Sequence, residues 1–248
     1  GFLLLFLMAI APALPWGKAG GEVLSKRLWW PGVFGTLVTV AGVLLGARGW
    51  TTTLAIGLAG FAIGGAARPL ILAVRSRGFA GLLGRSSGGM VVHVGVAIIA
   101  VALAVSSSFV RQTEFRFSAV GDSAVFAGHQ LVFQGNAVVE KEEKIETQVK
   151  VAIDGKIFTP SINIFPFSGQ PIGTPSTRST WKDDVQLSVL KIPENEDDST
   201  VVRITVQPLV WWIWVGGGVM ALGTLMSAVP SRRRDRDIEE AFANEVTI

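Results

Sequence analysis

The stretch Met90-Val-Val-His-Val-Gly-Val-Ala-Ile-Ile-Ala-Val-Ala-Leu-Ala-Val105 is an apolar run that contains a single ionisable residue, His93. With its flanking positions the run is long enough to cross a bilayer, which takes about 17–25 helical residues. An imidazole in hydrocarbon is costly, so membrane proteins usually keep one for a ligand, a proton or a partner. The run therefore predicts a membrane-spanning helix with His93 as its first candidate functional residue.

The composition of the whole chain agrees with a membrane protein. Apolar residues make up 49% of the 248 residues and charged residues 17%, and the mean hydropathy is +0.47, which is too apolar for an ordinary soluble domain. The first apolar window begins at Gly1 without an initiating Met, so we expect a processed form or the C-terminal piece of a longer protein. About five transmembrane helices are predicted by apolar windows near residues 1–15, 31–47, 51–74, 89–108 and 208–229.

The basic residues predict the orientation of these helices. They fall between the first and second helices, between the third and fourth, and after the fifth. Because short loops rich in Lys and Arg stay cytoplasmic, the C-terminal tail is expected inside and the segment 109–207 outside. The net charge of +3 is then mostly a topological signal and does not indicate a nucleic-acid site. The three clusters are Lys18, Lys26 and Arg27; Arg75, Arg77 and Arg85; and Arg232, Arg233, Arg234 and Arg236.

The outside segment has the composition of a β domain. In Ile145–Ile153 apolar and polar residues alternate, as in a half-buried strand. Asp154-Gly155 follows as a predicted hairpin turn. Further strands are expected at 115–120, 125–133, 185–190 and 201–206, with an exposed acidic turn at 193–200.

The predicted fold is therefore a polytopic α-helical membrane protein with an inserted extracytoplasmic all-β domain, a small sandwich or open barrel. We divide the chain into transmembrane helices one to four (1–108), the β domain (109–207), helix five (208–230) and a cytoplasmic tail (231–248), whose last residues form a short helix.

Two interpretations of His93 stay open on the residues alone. The chain has no cysteine, so thiol and zinc-thiolate chemistry are excluded for it. It also has no phosphate-binding loop, nucleophile elbow or paired-histidine motif, so self-contained hydrolase or ATPase chemistry is not expected. Neutral imidazole is an axial ligand of haem iron, and Gly88, Gly89 and Gly95 would let a flat cofactor or another helix approach. The alternative is a hydrogen bond from His93 to a neighbouring helix. The second histidine, His129, is expected at a turn or on the surface of the β domain.

The tryptophans of the last helix also have two interpretations. Trp211, Trp212 and Trp214 lie within four positions at its predicted outer boundary. Indole side chains favour the membrane interface, so an aromatic belt is expected. The same side chains are candidates to support a planar cofactor. Arg68, near the inner end of helix three, is expected to extend to the cytoplasmic interface.

Several segments together closely resemble the C-terminal part of the CcmF family, bacterial cytochrome c haem lyase subunits. These segments are Ala11-Pro-Ala-Leu-Pro-Trp16, Met90–Ala97, Ser106-Ser-Ser-Phe109, Ile164-Phe-Pro-Phe-Ser-Gly-Gln-Pro-Ile-Gly-Thr-Pro-Ser176 and Pro208-Leu-Val-Trp-Trp-Ile-Trp-Val-Gly-Gly-Gly-Val-Met-Ala-Leu-Gly223. The resemblance covers nearly the whole chain, and the Trp-rich helix is its most specific part. Gly169, Thr174, Pro175 and Asp184 match recurrent family positions, to which we assign structural roles.

The resemblance implies a haem b between two transmembrane histidines, with His93 as the later ligand and the second axial ligand outside this chain. It also implies that haem is a substrate, delivered by the haem chaperone holo-CcmE and joined to the Cys-X-X-Cys-His peptide of apocytochrome c. A CcmH-type subunit is an expected partner. The family's periplasmic Trp-rich signature is absent from this chain, so the chain alone is expected to lack the catalytic surface. The expected location is the bacterial inner membrane.

Two other functions remain open at this point. The chain could be a non-catalytic assembly module that binds apocytochrome or maturation partners. It could also be a transporter component that uses His93 in a proton path, which would predict further intramembrane carboxylates. No carboxylate lies in the five predicted helices.

Overall fold

The computed structural model describes residues 2–10, 21–167, 169–193 and 198–229. The expectations for Ala11–Trp16, Lys18, most of the acidic turn and the tail 231–248 lie outside these residues. The chain divides into a helical unit, up to Ser108 and again from Trp212, and a β unit, Phe109–Trp211. The helices are α1 (Phe2–Ile10), α2 (Gly21–Leu44), α3 (Trp50–Arg77), α4 (Arg85–Ser108) and α5 (Trp212–Ala228), with a 3-10 helix at Gly78–Leu82.

Three helices are long and apolar enough to cross a membrane. These candidate spans are Arg27–Leu44 in α2, Trp50–Ser76 in α3 and Arg85–Ser108 in α4. Helix α5 is apolar but shorter, with 17 residues, and the described part of α1 has nine. The structure thus supports three of the predicted spans, while the total of about five and their orientation stay predictions.

Helices α4 and α5 are in close contact through glycines. A Cβ built on Gly95 would lie 2.7 Å from the carbonyl oxygen of Gly216, and one built on Gly88 would lie 2.5 Å from that of Gly223. The two glycines of each helix are seven residues apart, so they share one face. Small residues of this kind let two backbones approach in a membrane protein.

Helix α5 begins four residues later than the sequence pattern suggested. Strand β10 continues to Pro208, which pairs with Asp183, so this proline belongs to the β unit. Leu209 then has a φ of +59°, and its N–H donates to the carbonyl of Lys182 at 3.0 Å. This hydrogen bond holds Leu209 next to Lys182, and α5 begins only after it, at Trp212.

The β unit is a two-layer sandwich. One sheet has the strand order β1-β10-β9-β8, and the other has β2-β3-β4-β6-β7 with β5 on the end of β4. Valine, isoleucine, leucine and phenylalanine side chains of both sheets form one core between them. The strands are β1 (Arg111–Phe117), β2 (Ser123–Phe126), β3 (His129–Lys141), β4 (Lys144–Ile153), β5 (Lys156–Phe158), β6 (Ser161–Ile164), β7 (Pro171–Thr174), β8 (Ser176–Ser179), β9 (Asp183–Lys191) and β10 (Thr200–Pro208).

The predicted hairpin turn at Asp154-Gly155 is confirmed, with φ values of +48° and +81°. The single strand expected at 125–133 is wrong, because Ala127 and Gly128, with φ values of +51° and +90°, form a second hairpin turn there. A chain with positive φ at two successive positions reverses direction in two residues. This reversal accounts for one of the additional strands.

The predicted alternation of β4 holds over only part of its length. Val149, Val151 and Ile153 are fully buried in the sandwich core. Ile145, expected on the same buried face, is 43% exposed, whereas Glu146, expected on the polar face, is buried. The β3–β4 hairpin extends beyond the packed part of the sandwich, which leaves Ile145 uncovered.

Candidate functional site

His93 lies on α4, eight residues after the helix starts at Arg85. It is therefore just over two turns from that end. Its side chain is half-buried. Among the residues that the structure describes, its imidazole has no hydrogen-bond or ion-pair partner, and its ring nitrogens are not enclosed. The expected alternative, a hydrogen bond to a neighbouring helix, is thus not formed within this part of the chain.

The glycines beside His93 have different surroundings. Gly88 and Gly95 make the close contact with α5, so their small size is used for helix packing. Gly95 is two positions after His93, which places the two about 160° apart around the helix axis. His93 therefore points away from α5. Four positions after His93, Ala97 is fully buried and packs with Ala59 and Ala62 of α3.

The three tryptophans proposed as support do not form one surface. Trp211 lies in the turn before α5, Trp212 is its first residue, and Trp214 is two positions further. Trp212 and Trp214 are about 160° apart on the helix. Trp214 is 77% exposed, as expected for a side chain at a membrane interface. Since His93 points away from α5, the structure does not bring Trp212 and Trp214 to its imidazole.

Other features of the helical unit are separate from His93. Arg68 is exposed. An open groove of about 610 Å³ between α1, α2 and α3 is lined by apolar and threonine side chains, without His93. In the described ranges no group of three or more His, Cys, Asp or Glu residues could hold a metal ion. His93 therefore has no such ligand group around it within these ranges.

The β unit contains a polar cluster that the sequence did not predict, which we call the His129 cluster: His129, Asp154, Arg178 and Asp183. His129 is buried, with Nδ1 2.9 Å from Asp154 Oδ2 and Nε2 3.2 Å from Asp183 Oδ2. Arg178 Nη1 donates to Asp154 Oδ2 at 2.8 Å. His129 was expected in a turn or surface role, yet its side chain links the two sheets. Asp154 and Asp183 are 25 and 54 positions from His129 in the chain, so no local sequence pattern predicts these contacts.

The pKa values of two aspartates shift in opposite directions: Asp154, which belongs to the His129 cluster, and Asp184, which follows Asp183 in the chain. The hydrogen bond with His129, together with one from the N–H of Gln130, holds the pKa of Asp154 below its ordinary value. Burial raises the pKa of Asp184. Among the described residues, Asp184 Oδ1 is a buried side-chain oxygen with no hydrogen-bond partner, which makes its ionised form costly. Asp184 lies in strand β9 and hydrogen-bonds with Ser179 and Thr180, which is compatible with a structural role.

The other family-matching positions of the β unit lie at turns and at an edge strand. Gly169 has a φ of +61°, and its N–H donates to the carbonyl of Phe165 at 3.0 Å. Thr174 ends the edge strand β7, where its hydroxyl accepts a hydrogen bond from Asn163. Pro175 separates β7 from β8. Their surroundings are compatible with the structural roles that we assigned to them.

Glu146 gives a testable pH dependence. Its carboxylate accepts hydrogen bonds from Lys141 at 2.7 Å and Gln148 at 3.0 Å, and these contacts, with Lys144, lower its pKa from 4.5 to about 2. A lowered carboxyl pKa stabilises the folded state above the unfolded value, and this contribution is lost as the pH falls through the folded value. We therefore expect the stability difference between wild type and Glu146→Gln to be full at pH 7 and to disappear between about pH 4.5 and 2.

The measurement is amide hydrogen exchange of strands β3 and β4 over this pH range, corrected for intrinsic rates. Glu142→Gln is the matched control, because Glu142 is exposed in the turn between these strands. A difference between wild type and Glu146→Gln that is unchanged from pH 7 to pH 2 would contradict the assignment.

Comparisons with known proteins show that the chain is similar to several longer proteins. The cytochrome c-type biogenesis protein CcmF of Pseudomonas fluorescens is 27% identical over 243 residues, covering 94% of this chain and 36% of that protein. The cytochrome c-type biogenesis protein CycK of Bradyrhizobium diazoefficiens is 27% identical over 250 residues, covering 94% and 37%. A solved structure of the cytochrome c haem lyase CcmF matches with a TM-score of 0.74 and 27% identity, over 92% of this chain and 38% of that one. No protein-family model matches the chain.

The chain thus spans little more than a third of the length of these curated relatives. The match to the solved structure extends over both the helical and the β unit.

Proposed function

We propose, from the similarity to the C-terminal part of CcmF proteins, that the chain is part of a haem lyase that matures c-type cytochromes. The finer proposal is that His93 is an axial ligand of a transmembrane b-type haem. The observation that carries this proposal is the half-buried imidazole of His93, which has no partner among the described residues and whose nitrogens are accessible. An ionisable group kept unpaired in an apolar helix is a functional-site candidate.

The residues of the site fit such a group. A neutral imidazole is a common haem ligand, and His93 presents it on the face of α4 opposite α5. When held by His93, a b-type haem would supply one-electron redox chemistry. The residues on either side of His93, Val92 and Val94, are apolar, and an apolar environment is one of the features by which a protein sets such a potential. The second axial ligand comes from outside this chain.

The reaction of the complete enzyme would be the addition of two cysteine thiols of Cys-X-X-Cys-His across the vinyl groups of the substrate haem, which forms two thioethers. Holo-CcmE, a CcmH-type subunit and apocytochrome c are the proposed partners. The β unit would lie outside the inner membrane and help to shape the cleft where these partners meet. The chain alone would be inactive, because the Trp-rich signature expected to dock the substrate haem is not in its sequence.

The alternative of a proton path through the helices gains no support from the structure. A proton relay needs several ionisable groups in succession, and the three candidate spans contain no Asp or Glu.

The test is the reduced-minus-oxidised absorption spectrum of the natural polypeptide that contains this chain, purified in detergent, beside its His93→Ala variant. We expect wild type to have a b-type α band and the variant to lose it at equal protein yield. His129→Ala is the control, since its imidazole is bonded inside the β unit and should leave the band in place. An α band of unchanged size in His93→Ala, or no band in wild type, would refute haem ligation by His93.

A further inference from the structure

Gly89 differs from the other two glycines beside His93. A Cβ built on Gly89 meets no atom within 4 Å, whereas those built on Gly88 and Gly95 would collide with α5. Gly89 is one turn before His93, about 40° around the helix axis, so the two residues share a face. Side chains on a helix lean towards the preceding turn. The side chain of His93 is therefore expected to lean towards the turn that contains Gly89.

The two sides of His93 along this face are unequal. In the direction of the C-terminus, Ala97 is fully buried against Ala59 and Ala62 of α3. In the direction of the N-terminus, the space above Gly89 is open. Among the described residues, the Ala97 side of His93 is therefore closed by α3, whereas the Gly89 side is open to a flat ligand bound through the imidazole.

A glycine inside a helix is less favourable than an alanine, because its backbone loses more conformational freedom on folding. For Gly88 and Gly95 the close contact with α5 offsets this cost. Gly89 has no such contact with any described residue and no positive φ. Its cost is thus not offset by packing in this part of the chain. Gly217 and Gly218 of α5 are equally open, but Gly89 lies one turn from His93.

We propose that Gly89 is a positioning residue for the haem: its missing side chain leaves the surface beside His93 free for the macrocycle to approach. The inference rests on the proposed function of His93 and adds a residue and an approach direction to it. A leucine at position 89 would fill the space that the macrocycle needs. Overpacking of this kind typically costs about 1–3 kcal/mol, which corresponds to a 5- to 150-fold weaker haem affinity.

The experiment uses the natural polypeptide purified in detergent from haem-depleted cells and titrated with haem, with the absorption change as readout. The variants are Gly89→Leu, Gly89→Ala and His93→Ala, and the matched control is Gly218→Leu. Gly218 is also a helical glycine with open space around its Cβ, but it lies on α5. We expect a 5- to 150-fold loss of affinity in Gly89→Leu, a much smaller loss in Gly89→Ala, and wild-type affinity in Gly218→Leu.

These variants separate the role of Gly89 from that of His93. Wild-type affinity in Gly89→Leu, with haem binding abolished in His93→Ala, would overturn the role of Gly89 and leave His93 as the ligand. Equal losses in Gly89→Leu and Gly218→Leu would also overturn it, because the effect would then follow from leucine at any open helical position. Wild-type affinity in His93→Ala would overturn the proposed ligand and the inference with it.

Discussion

Replacing Gly95 by alanine is expected to push α4 and α5 apart and to lower the free energy of unfolding of the helical unit by about 1–3 kcal/mol. The added Cβ would lie 2.7 Å from the carbonyl oxygen of Gly216 and 2.9 Å from the amide nitrogen of Met220. Both atoms belong to the backbone of α5 and cannot rotate away. The higher helix propensity of alanine, worth up to about 1 kcal/mol, is too small to reverse the sign.

The measurement is thermal unfolding in detergent micelles followed by far-ultraviolet circular dichroism. Gly89→Ala is the matched control on the same helix, since its Cβ would meet no atom within 4 Å. We expect this control to be neutral or slightly stabilising. Gly88→Ala should resemble Gly95→Ala, because its Cβ would meet the carbonyl of Gly223 at 2.5 Å. A Gly95→Ala variant as stable as Gly89→Ala would contradict the close packing of α4 on α5.

Removing the side chain of His129 is expected to lower the free energy of unfolding of the β sandwich by about 1–3 kcal/mol, the range for a buried polar group that loses its hydrogen-bond partner. The ring bonds to Asp154 in the β4–β5 turn and to Asp183 at the start of β9, which belong to different sheets. The side chains of His129 and Asp183 are 11% and 14% exposed. In His129→Ala both carboxylates lose a partner, and Asp183 is left mostly buried. The partial exposure of Asp154 and its bond from Arg178 limit the loss.

Hydrogen exchange of the backbone amides of β3, β4 and β9 in the full chain measures this effect. Gln134→Ala, an exposed position on the same strand as His129, is the control. We expect faster exchange on both sheets in His129→Ala and no change in Gln134→Ala. Acceleration confined to β3 would show that His129 does not connect the two layers.

Strand β4 shows which structural features a local sequence pattern can predict. Its alternation and the Asp154-Gly155 turn were predictable, because strand periodicity and positive φ at a turn depend on neighbouring residues. The exposure of Ile145 and the burial of Glu146 were not, since they depend on how far the second sheet extends over this hairpin. The same limit applies to Ala127 and Gly128, where a turn lies inside what resembled one apolar strand.

The sequence by itself determined the membrane character, the presence of a β domain between the fourth and last helices, and His93 as the residue to test. These depend on composition, on apolar runs and on a single ionisable side chain in such a run, which is energetically costly in hydrocarbon. Only the tertiary structure decided that Gly88 and Gly95 contact α5 while Gly89 stays open, and that His129 joins two sheets through Asp154 and Asp183. The physical reason is that these contacts join residues far apart in the chain, so their geometry follows from packing and is not encoded in the local pattern.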